Sequence, residues 1–281
     1  MQWLCPVCGK ELIWEPQGVT CCARHHFDRA AAGYVNLQIS GHKHAKNPGD
    51  NKAMIQARHR FLSGGFYHTF CESGCEMGKR YVTGKGSVQI LDVGCGEGYY
   101  TENVKNTLQK TGGTVDIAGI DLSKEALRYA AKRIHDGEFA VASCYHLPLQ
   151  ANCVDLVINY FSPLCIPELY RVLKPDGIFL YAVPDARHLW HMKEILYETP
   201  YENPTEEKQY AGFALQEVCR VTDHIRLCTQ RDIADLFAMT PYCYRSPQEG
   251  VKRLLALETL ETEVAFRIYA YRKVSSPSYN L

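Results

Sequence analysis

Two groups of residues in this chain have types and spacings that could do chemistry. The first comprises Cys5-Pro6-Val7-Cys8, Cys21-Cys22 and His25-His26. Two cysteines, a short hairpin and a second Cys/His pair suit tetrahedral zinc, whose structural sites close with four sulfur or nitrogen ligands. Either cysteine and either histidine of the second pair could be a ligand, and reduced thiols without metal are the alternative. Four candidate ligands leave no open position, so the pattern predicts a structural zinc.

The second group is the turn Gly94-Cys95-Gly96-Glu97-Gly98. It follows an apolar run at 88–93, which predicts a buried strand, and it precedes a helix-compatible segment at 100–109. Backbone N–H groups and the positive helix end would then lie beside a bound small molecule. The third glycine comes one residue too early for a dinucleotide-binding fingerprint. Because Asp92 ends the strand, a cationic or hydroxyl-bearing ligand is favoured over phosphates.

Length and composition fit one large domain, or a large domain with a small one. The chain has 281 residues, of which 46% are hydrophobic. It has no run of 18 apolar residues, so no transmembrane helix is expected. The N-terminus lacks the basic-then-apolar order of a secretion signal, which makes the cytoplasm the expected compartment. The 13 cysteines are therefore expected to be mainly reduced thiols or metal ligands.

The net charge is zero, but it is uneven along the chain. Residues 1–60 carry eight Lys and Arg against four Asp and Glu, and their net +4 is balanced by −4 elsewhere. Zero net charge argues against a general nucleic-acid binder, whereas the basic segment suggests that it meets an anion. A bridge at 36–60 could contact phosphate or could be a solvated linker. Its basic residues are Lys43, Lys46, Lys52, Arg58 and Arg60.

The rest of the sequence predicts an α/β fold. Strands are expected at 88–93, 114–120, 139–142, 154–158, 178–183, 217–227 and 260–271. Helices are expected at 52–62, 66–81, 100–109, 126–134, 167–173, 188–197, 229–239 and 247–256. This order predicts a mainly parallel sheet with one antiparallel strand.

Asp121 ends the second predicted strand of the α/β region. In folds of this kind an acid at that position holds ribose hydroxyls. The alternative is a helix cap, and Ser123 can serve as that cap. Both roles can hold, because they use different residues.

The glycine-rich turn resembles motif I of class I S-adenosylmethionine (SAM) methyltransferases, and the chain as a whole resembles the RlmA family of bacterial 23S rRNA guanine-N1 methyltransferases. The resemblance covers nearly the whole chain. It is carried by Cys5-Pro6-x-Cys8 with Cys21-x-x-x-His25-x-Phe27-Asp28, by 33–37 (Gly-Tyr-Val-Asn-Leu), by Pro48-Gly49-Asp50 with Ala57-Arg58, by 92–101 (Asp-Val-Gly-Cys-Gly-Glu-Gly-Tyr-Tyr-Thr), and by Arg187-His188-Leu189.

The resemblance implies a class I SAM-dependent methyltransferase sheet, Rossmann-like, with a small N-terminal zinc-ribbon-like module. The order of motifs along the sequence predicts a zinc-binding module at 1–35, a basic linker with helices at 36–84 and a methyltransferase domain at 85–281. The substrate implied by the resemblance would be N1 of a guanine in a domain II hairpin of 23S rRNA, with the zinc module helping to recognise RNA. No membrane partner is expected, and a homodimer is compatible with the sequence.

The resemblance also assigns residues. The zinc ligands would be Cys5, Cys8, Cys21 and His25. The SAM contacts would be Tyr67, Asp92, Gly94, Gly96, Gly98, Tyr99, Tyr100, Asp121 and His188. The chain departs from the wider class after its third strand, because Ser143-Cys144 stands where many relatives have an Asp that reaches the adenine amino group. Backbone groups near Ser143 and His146 are then expected to hold adenine.

The substrate pocket is expected where the fourth strand ends. We expect Asn159, Tyr160 and Ser162 to hold the guanine edge and face, since an aromatic ring can stack on an extruded base. Core packing is the alternative for Tyr160 and Phe161.

Guanine N1 carries a proton that must be lost for methylation, so a general base or a group stabilising negative charge on O6 is required. Asp185 and His188 are the candidates for the base. A SAM enzyme with a small-molecule substrate and a non-catalytic SAM- and RNA-binding protein are the rival functions, because fold and turn alone allow them.

Overall fold

A mixed eight-stranded sheet forms the centre of the protein in the computed structural model, which describes residues 1–39, 50–205 and 207–274. The strands of the protein, in chain order, are β1 Leu12–Glu15, β2 Gly18–Cys21, β3 His26–Asp28, β4 Val35–Asn36, β5 Ser87–Val93, β6 Thr114–Asp121, β7 Glu138–Val141, β8 Val154–Tyr160, β9 Leu173–Pro184, β10 Phe213–Leu227 and β11 Leu260–Lys273. The helices are α1 Lys52–Ser63, α2 His68–Val82, α3 Tyr99–Gln109, α4 Lys124–Arg133, α5 Ile166–Val172, α6 Trp190–Leu196, α7 Gln230–Ala238 and α8 Gln248–Leu255, with a 3₁₀ turn at Pro241–Tyr244.

The large sheet has the strand order β10-β11-β9-β8-β5-β6-β7-β4. The pairs from β9 to β4 are parallel, whereas β11 pairs antiparallel with both β9 and β10. Among the described strands of this sheet, β11 therefore runs against all the others. This confirms the prediction of a mainly parallel sheet with one antiparallel strand. The apolar runs of β5, β6 and β8 are buried because both faces of the sheet are covered.

Several strand limits differ from those expected from the sequence, and two of the differences bear on the site. β8 continues two residues beyond 158, because Asn159 and Tyr160 pair with Tyr181 and Ala182 of β9. β9 begins at Leu173 instead of 178, because Leu173 pairs with Val154 and is fully buried. Since successive side chains of a strand point to opposite faces, Asn159 and Tyr160 cannot both face one pocket.

The N-terminal residues cover one face of the large sheet. Trp3 is fully buried, its indole N–H donates to Glu138 Oε2 at 2.7 Å, and its ring packs 5.5 Å from that of Trp14. β4 then joins the sheet edge, parallel to β7, and it crosses residue 35, where the sequence suggested a boundary. The hairpin of β1 and β2 and the helix α5 contribute to the hydrophobic cluster on this face. Helices α2, α3 and α4 contribute to the cluster on the other face.

No helix within residues 1–39, 50–205 and 207–274 has both the length and the apolar composition needed to span a bilayer.

Candidate active site and metal centre

The glycine-rich turn between β5 and α3 requires glycine at two of its three positions for steric reasons. Gly94, Gly96 and Gly98 have φ of +80°, +55° and +86°. A Cβ on Gly94 would lie 2.4 Å from Ser162 Cβ, and one on Gly98 would lie 2.9 Å from Ala130 Cα. A Cβ on Gly96 would first meet Arg58 Nη1, at 4.0 Å. The turn is therefore closely packed at Gly94 and Gly98 and leaves room for a ligand at Gly96.

Asp121 fastens this turn to the end of β6. Its Oδ2 accepts a hydrogen bond from the Gly96 N–H at 3.0 Å, and its Oδ1 accepts one from the Ser123 N–H at 2.7 Å. Ser123 Oγ accepts from the Ala126 N–H at 3.3 Å and caps α4. The cap and the acid are thus separate residues, as the sequence allowed. Burial raises the pKa of the Asp121 carboxyl above its usual range.

Asp92, near the end of β5, contacts the first turn of α3. The Thr101 hydroxyl donates to Asp92 Oδ2 at 2.6 Å. Burial raises the pKa of Asp92 to about 7, and the hydrogen bond from Thr101 offsets only part of this rise. The carboxyl is therefore partly protonated at neutral pH in the ligand-free protein.

This pKa predicts a pH dependence of stability. An unfolded Asp has a pKa of about 3.9, so the folded state binds the Asp92 proton more tightly than the unfolded state does. The contribution of Asp92 is full below about pH 4 and is lost as the pH rises through about 7. In urea unfolding without SAM, the stability of Asp92→Asn relative to wild type should rise from pH 5 to pH 8. A difference between the two proteins that is constant over this range would contradict the assignment.

Tyr67, Tyr100 and His188 belong to one aromatic cluster. Tyr67 is buried, and its ring lies 6.1 Å from that of His188 and 5.0 Å from that of Phe266. Phe70 links Phe266 to Tyr100, at ring distances of 4.5 and 5.3 Å. Tyr99 joins the cluster through Tyr100, at a ring distance of 5.3 Å, and the Arg133 guanidinium lies over its ring at 5.8 Å. The cluster supplies an apolar wall at the carboxyl edge of the sheet.

His188 is a neutral hydrogen-bond donor. Its Nδ1 accepts from the Ala265 N–H at 3.2 Å, which assigns the ring hydrogen to Nε2. Burial lowers the pKa of His188 to about 3. Because Nε2 of the neutral ring already carries a hydrogen and Nδ1 accepts from Ala265, neither nitrogen is available to take the proton from guanine N1. The structure therefore argues against His188 as the general base.

Asp185, the other candidate base, is held in an ion pair. Its Oδ1 accepts from Arg267 Nε at 2.7 Å and from the Ala186 N–H at 2.7 Å. The backbone carbonyl of Asp185 accepts from Asn203 Nδ2 at 2.8 Å. These bonds join β9, β11 and the segment after α6, so the geometry gives Asp185 a structural role.

Asn159 and Tyr160 lie on opposite faces of β8. Asn159 Nδ2 donates to the carbonyls of Val93 and Pro163 at 3.3 and 3.1 Å, while its Oδ1 is buried and has no hydrogen-bond partner among the described residues. The Tyr160 hydroxyl also lacks a partner within the described ranges, and it lies against α2, where a Cβ on Gly74 would be 2.6 Å away. This placement favours core packing for Tyr160.

Phe161 is an exposed aromatic residue at the end of β8, where the substrate pocket is expected. It follows β8 with φ of +59°, its side chain is 42% exposed, and its ring packs against those of Phe70 and Phe266 at 5.2 and 5.4 Å. A bulky residue at positive φ is costly, and such strain is concentrated at functional sites. Ser162 follows it and donates to the Val93 carbonyl at 2.7 Å, beside Gly94.

Glu97 ties two helices to the glycine-rich turn, a role that the sequence did not reveal. It is buried, and its Oε2 accepts from Arg133 Nη2 of α4 at 2.8 Å and lies 2.8 Å from His59 Nδ1 of α1. Its Oε1 has no partner within the part of the chain that the structure describes. The presence of an acid between Gly96 and Gly98 is the one feature of the sequence that could have indicated this role.

The arginines of the predicted basic bridge are paired with acids. Arg58 Nη1 lies 2.5 Å from Asp50 Oδ2, and Arg60 forms a two-pronged pair with Asp235 of α7 at 2.7 and 2.5 Å. The bridge residues Lys43 and Lys46 fall outside the described residues. Arg58 and Arg60 therefore position α1 and are poorly available to phosphate.

The segment after β7 is a tight turn at the predicted adenine position. Ser143 Oγ accepts from the Tyr145 N–H at 3.2 Å, and the Ser143 carbonyl accepts from the His146 N–H at 3.1 Å. Cys144 is half-buried. The hydroxyl and carbonyl oxygens of Ser143 thus accept hydrogen bonds from within the turn itself.

Four metal-binding donors meet in the N-terminal hairpin. The Sγ atoms of Cys5, Cys8 and Cys21 and Nδ1 of His25 lie within 4.8 Å of one another. Cys21 Sγ is 3.7 Å from Cys8 Sγ and 3.4 Å from His25 Nδ1. Three sulfurs and one imidazole nitrogen fit a closed tetrahedral zinc site.

The neighbours of these donors are directed elsewhere. Cys22 is exposed, and His26 Nδ1 lies 2.8 Å from Thr20 Oγ1. Burial alone would raise the pKa of the Cys21 thiol, but backbone hydrogen bonds from His25 and Ala23 lower it to about 6. The geometry therefore favours Cys21 over Cys22 and His25 over His26.

The mixed sheet, the glycine-rich turn and the acids at the ends of β5 and β6 define a class I SAM-dependent methyltransferase. Residues 85–239 match the family model described as "Methyltransferase domain", and residues 3–46 match the one described as "RlmA, N-terminal". The chain belongs to the RlmA family of 23S rRNA (guanine-N1)-methyltransferases. Its cofactors are SAM and a structural zinc ion.

Three relatives illustrate this membership. The name "Putative 23S rRNA (guanine-N(1)-)-methyltransferase" is carried by a Micromonospora griseorubida protein, 31% identical over 96% of this chain and 97% of the relative. A Bacillus subtilis protein, YxjB, has the same name and is 28% identical over 92% of this chain and 93% of its own. The 23S rRNA (guanine(748)-N(1))-methyltransferase of Streptomyces fradiae is 30% identical over 68% of this chain and 66% of its own.

Proposed function

We propose that this enzyme methylates N1 of a guanine in a domain II hairpin of 23S rRNA. The observation that carries the proposal is the alignment of 96% of the chain with a relative named "Putative 23S rRNA (guanine-N(1)-)-methyltransferase", together with the match of residues 3–46 to the RlmA N-terminal model. The Streptomyces fradiae relative, which is 30% identical to this chain over the aligned region, is named for methylation of guanine 748. Because ribosomal RNA is in the cytoplasm of bacteria, we propose that the enzyme acts there. That the protein forms a homodimer stays a prediction.

In this proposal the turn from Gly94 to Gly98 and the two acids hold SAM. SAM supplies a methyl group on a positively charged sulfur. Asp121 would take the ribose hydroxyls, because it ends β6 beside Gly96 and is already oriented by two N–H groups. Asp92 would favour the positive end of the cofactor. Tyr67, Tyr99, Tyr100 and His188 complete the proposed set.

The zinc hairpin would orient RNA and take no part in the chemistry. Cys5, Cys8, Cys21 and His25 use every position of a tetrahedral site, so none is left for substrate. Packing of Trp3 and β4 on the large sheet fixes the hairpin relative to the catalytic edge. We retain the division into a zinc-binding module at 1–35, a linker with helices at 36–84 and a methyltransferase domain at 85–281.

For the guanine pocket we propose Asn159 and Phe161 as the principal residues. The unpartnered Oδ1 of Asn159 can accept a hydrogen bond from the guanine edge, and the exposed ring of Phe161 can stack on the base. Tyr160, which the sequence placed beside Asn159, would support Phe161 from below, their rings being 6.5 Å apart. His188 Nε2 would act as a donor.

Exchanging aromatic residues at 160 and 161 tests this pocket. Phe161→Ala should lower kcat/KM for 23S rRNA by about tenfold or more, because base stacking contributes about 1–3 kcal/mol. Tyr160→Phe should keep the activity and raise stability by about 1 kcal/mol, because it removes a buried unpaired hydroxyl. Steady-state kinetics and urea unfolding give the two readouts.

The conservative variant Phe161→Tyr should restore most of the activity if stacking is the role of the ring. A loss of activity in Tyr160→Phe together with full activity in Phe161→Ala would contradict the assignment.

Labelled SAM decides between this function and its rivals. Methyl label should enter unmodified 23S rRNA and should not enter quinones or small carboxylic acids. Label found only in a small molecule would support a small-molecule enzyme. SAM binding without any transfer would support a non-catalytic binding protein.

A further inference from the structure

One exposed face of α4 carries a row of basic residues. Lys124, Arg128 and Lys132 are spaced by four residues and are all exposed. Residues four apart share a helix face, and each step advances about 6 Å along the axis, so the row spans about 12 Å.

The charge of this row is mostly uncompensated. Arg128 Nη1 lies 3.1 Å from Glu125 Oε2, but the Arg128 side chain remains 54% exposed. The side chains of Lys124 and Lys132 form no ion pair and no hydrogen bond with any residue that the structure describes. An exposed pair such as Arg128–Glu125 contributes little and leaves the arginine available to another anion.

A groove lies beside Arg128 and Lys132 of this row, between α4 and the segment that follows the zinc hairpin. It has a volume of about 400 Å³ and is lined by Ala30, Ala31, Ala32, Tyr34, Arg128 and Lys132. A second depression of about 130 Å³ shares Arg128 and Lys132 with it and adds Glu125 and Tyr129. The three alanines are small, which leaves the groove open beside the basic side chains.

Gly33 lies close to α4 in the segment that lines the groove. It has φ of +107°, and a Cβ there would touch Ala131 Cβ of α4 at 3.4 Å. The turn around it is closed by hydrogen bonds from the Gly33 N–H to the Ala30 carbonyl and from the Ala30 N–H to the Tyr34 carbonyl, both at 2.8 Å. The turn that follows the zinc hairpin is therefore ordered and approaches α4 closely beside the groove.

The ends of the row meet the two proposed sites. Lys124 begins α4 directly after its cap Ser123 and three residues after Asp121. Lys132 lies beside Ala30–Tyr34, which follow β3 of the zinc hairpin. A polyanion along this row would connect the cofactor edge to the zinc module.

We propose that this groove binds the phosphate backbone of the RNA substrate, with Arg128 and Lys132 as its phosphate contacts and Lys124 at its active-site end. The inference rests on the proposed function and adds the surface that recognises RNA. Ion pairing of Arg58 and Arg60 supports this location, because the basic side chains of α1 are then reduced to the exposed Lys52, whereas α4 presents three exposed basic residues on one face. Phosphate contacts position the RNA and are not expected to read its sequence.

The salt dependence of RNA binding tests the groove. Arg128→Ala/Lys132→Ala should weaken binding of unmodified 23S rRNA by about tenfold or more at low salt and lower the slope of log K against log salt by about 1.4–1.8, the value for two lost phosphate contacts. The affinity for SAM should not change. Lys110→Ala/Lys208→Ala, which removes two exposed lysines elsewhere, is the matched control and should bind RNA like wild type. Unchanged affinity and slope in the α4 variant would overturn the proposal.

Chemical acetylation of the wild-type protein gives a second readout that does not depend on variants. RNA should shield Lys124 and Lys132 from acetylation and leave Lys110 reactive. Equal reactivity of all three lysines with and without RNA would overturn the proposal. Polyglutamate that competes as well as RNA would overturn the choice of RNA as the polyanion.

The failure of this inference is distinguishable from failure of the proposed function. Formation of 1-methylguanosine with an unaffected α4 variant would refute the groove alone. RNA binding that depends on α4, without methylation of guanine, would refute the reaction alone.

Discussion

Asp121→Ala is expected to weaken SAM binding by about 100-fold or more, which corresponds to about 2.7 kcal/mol. The half-buried carboxylate accepts hydrogen bonds from the N–H groups of Gly96 and Ser123. Alanine would leave both N–H groups unpaired, at a cost of about 1–3 kcal/mol each. It would also remove the proposed acceptor for the ribose hydroxyls.

Titration calorimetry with SAM measures this effect. Asp116→Ala is the matched control, because Asp116 lies on the same strand and is exposed. Asp121→Asn keeps one acceptor oxygen but places its amide NH2 group against a backbone N–H. Its affinity for SAM should therefore lie between those of Asp121→Ala and wild type. Thermal unfolding of each variant reports whether the fold survives. Wild-type affinity for SAM in Asp121→Ala, with a normal melting transition, would show that Asp121 neither shapes nor contacts the cofactor site.

Cys21→Ser is expected to release zinc and to unfold the N-terminal hairpin, whereas Cys22→Ser should do neither. The two residues are neighbours, but Cys21 Sγ faces Cys8 and His25 while Cys22 is exposed. Structural zinc contributes about 10–16 kcal/mol in small zinc domains, far more than so small a hairpin gains from packing of its own. His25→Ala and His26→Ala form a second matched pair with the same expectation.

Metal analysis and amide hydrogen exchange read the two consequences. Loss of zinc should raise exchange first in β1 to β3 and then in β4, whose pairing with β7 follows the hairpin. Methylation of 23S rRNA should fall, and SAM binding should be weakened much less. A full zinc content in Cys21→Ser, or a metal-free protein in Cys22→Ser, would contradict the ligand set.

The sequence predicts the parts of this protein that are decided locally. Apolar runs mark β5, β6 and β8, and the spacing of Gly94, Gly96 and Gly98 marks the ligand-binding turn. The predicted helix at 52–62 agrees with α1, Lys52–Ser63, because an amphipathic pattern and the cap Asn51 specify it within a few residues.

Features that depend on distant pairing could not be predicted in this way. Arg60 meets Asp235 across 175 residues, and Trp3 meets Glu138 across 135. Neither partner is marked in the sequence. The proposal of Phe161 in place of Tyr160 rests on two further residues of β8, Asn159 and Tyr160, which are fixed by pairing with β9. The choice between Cys21 and Cys22 turned on the direction of each side chain in the hairpin.

Nucleoside analysis of unmodified 23S rRNA treated with the protein and SAM tests the central claim most directly. Digestion and mass spectrometry identify the methylated nucleoside, and reverse-transcription stops locate it, because a methyl group on N1 blocks base pairing. We predict 1-methylguanosine at a single position in the domain II hairpin. A methyl group on another nucleoside, or RNA that stays unmodified while SAM is bound, would contradict the account.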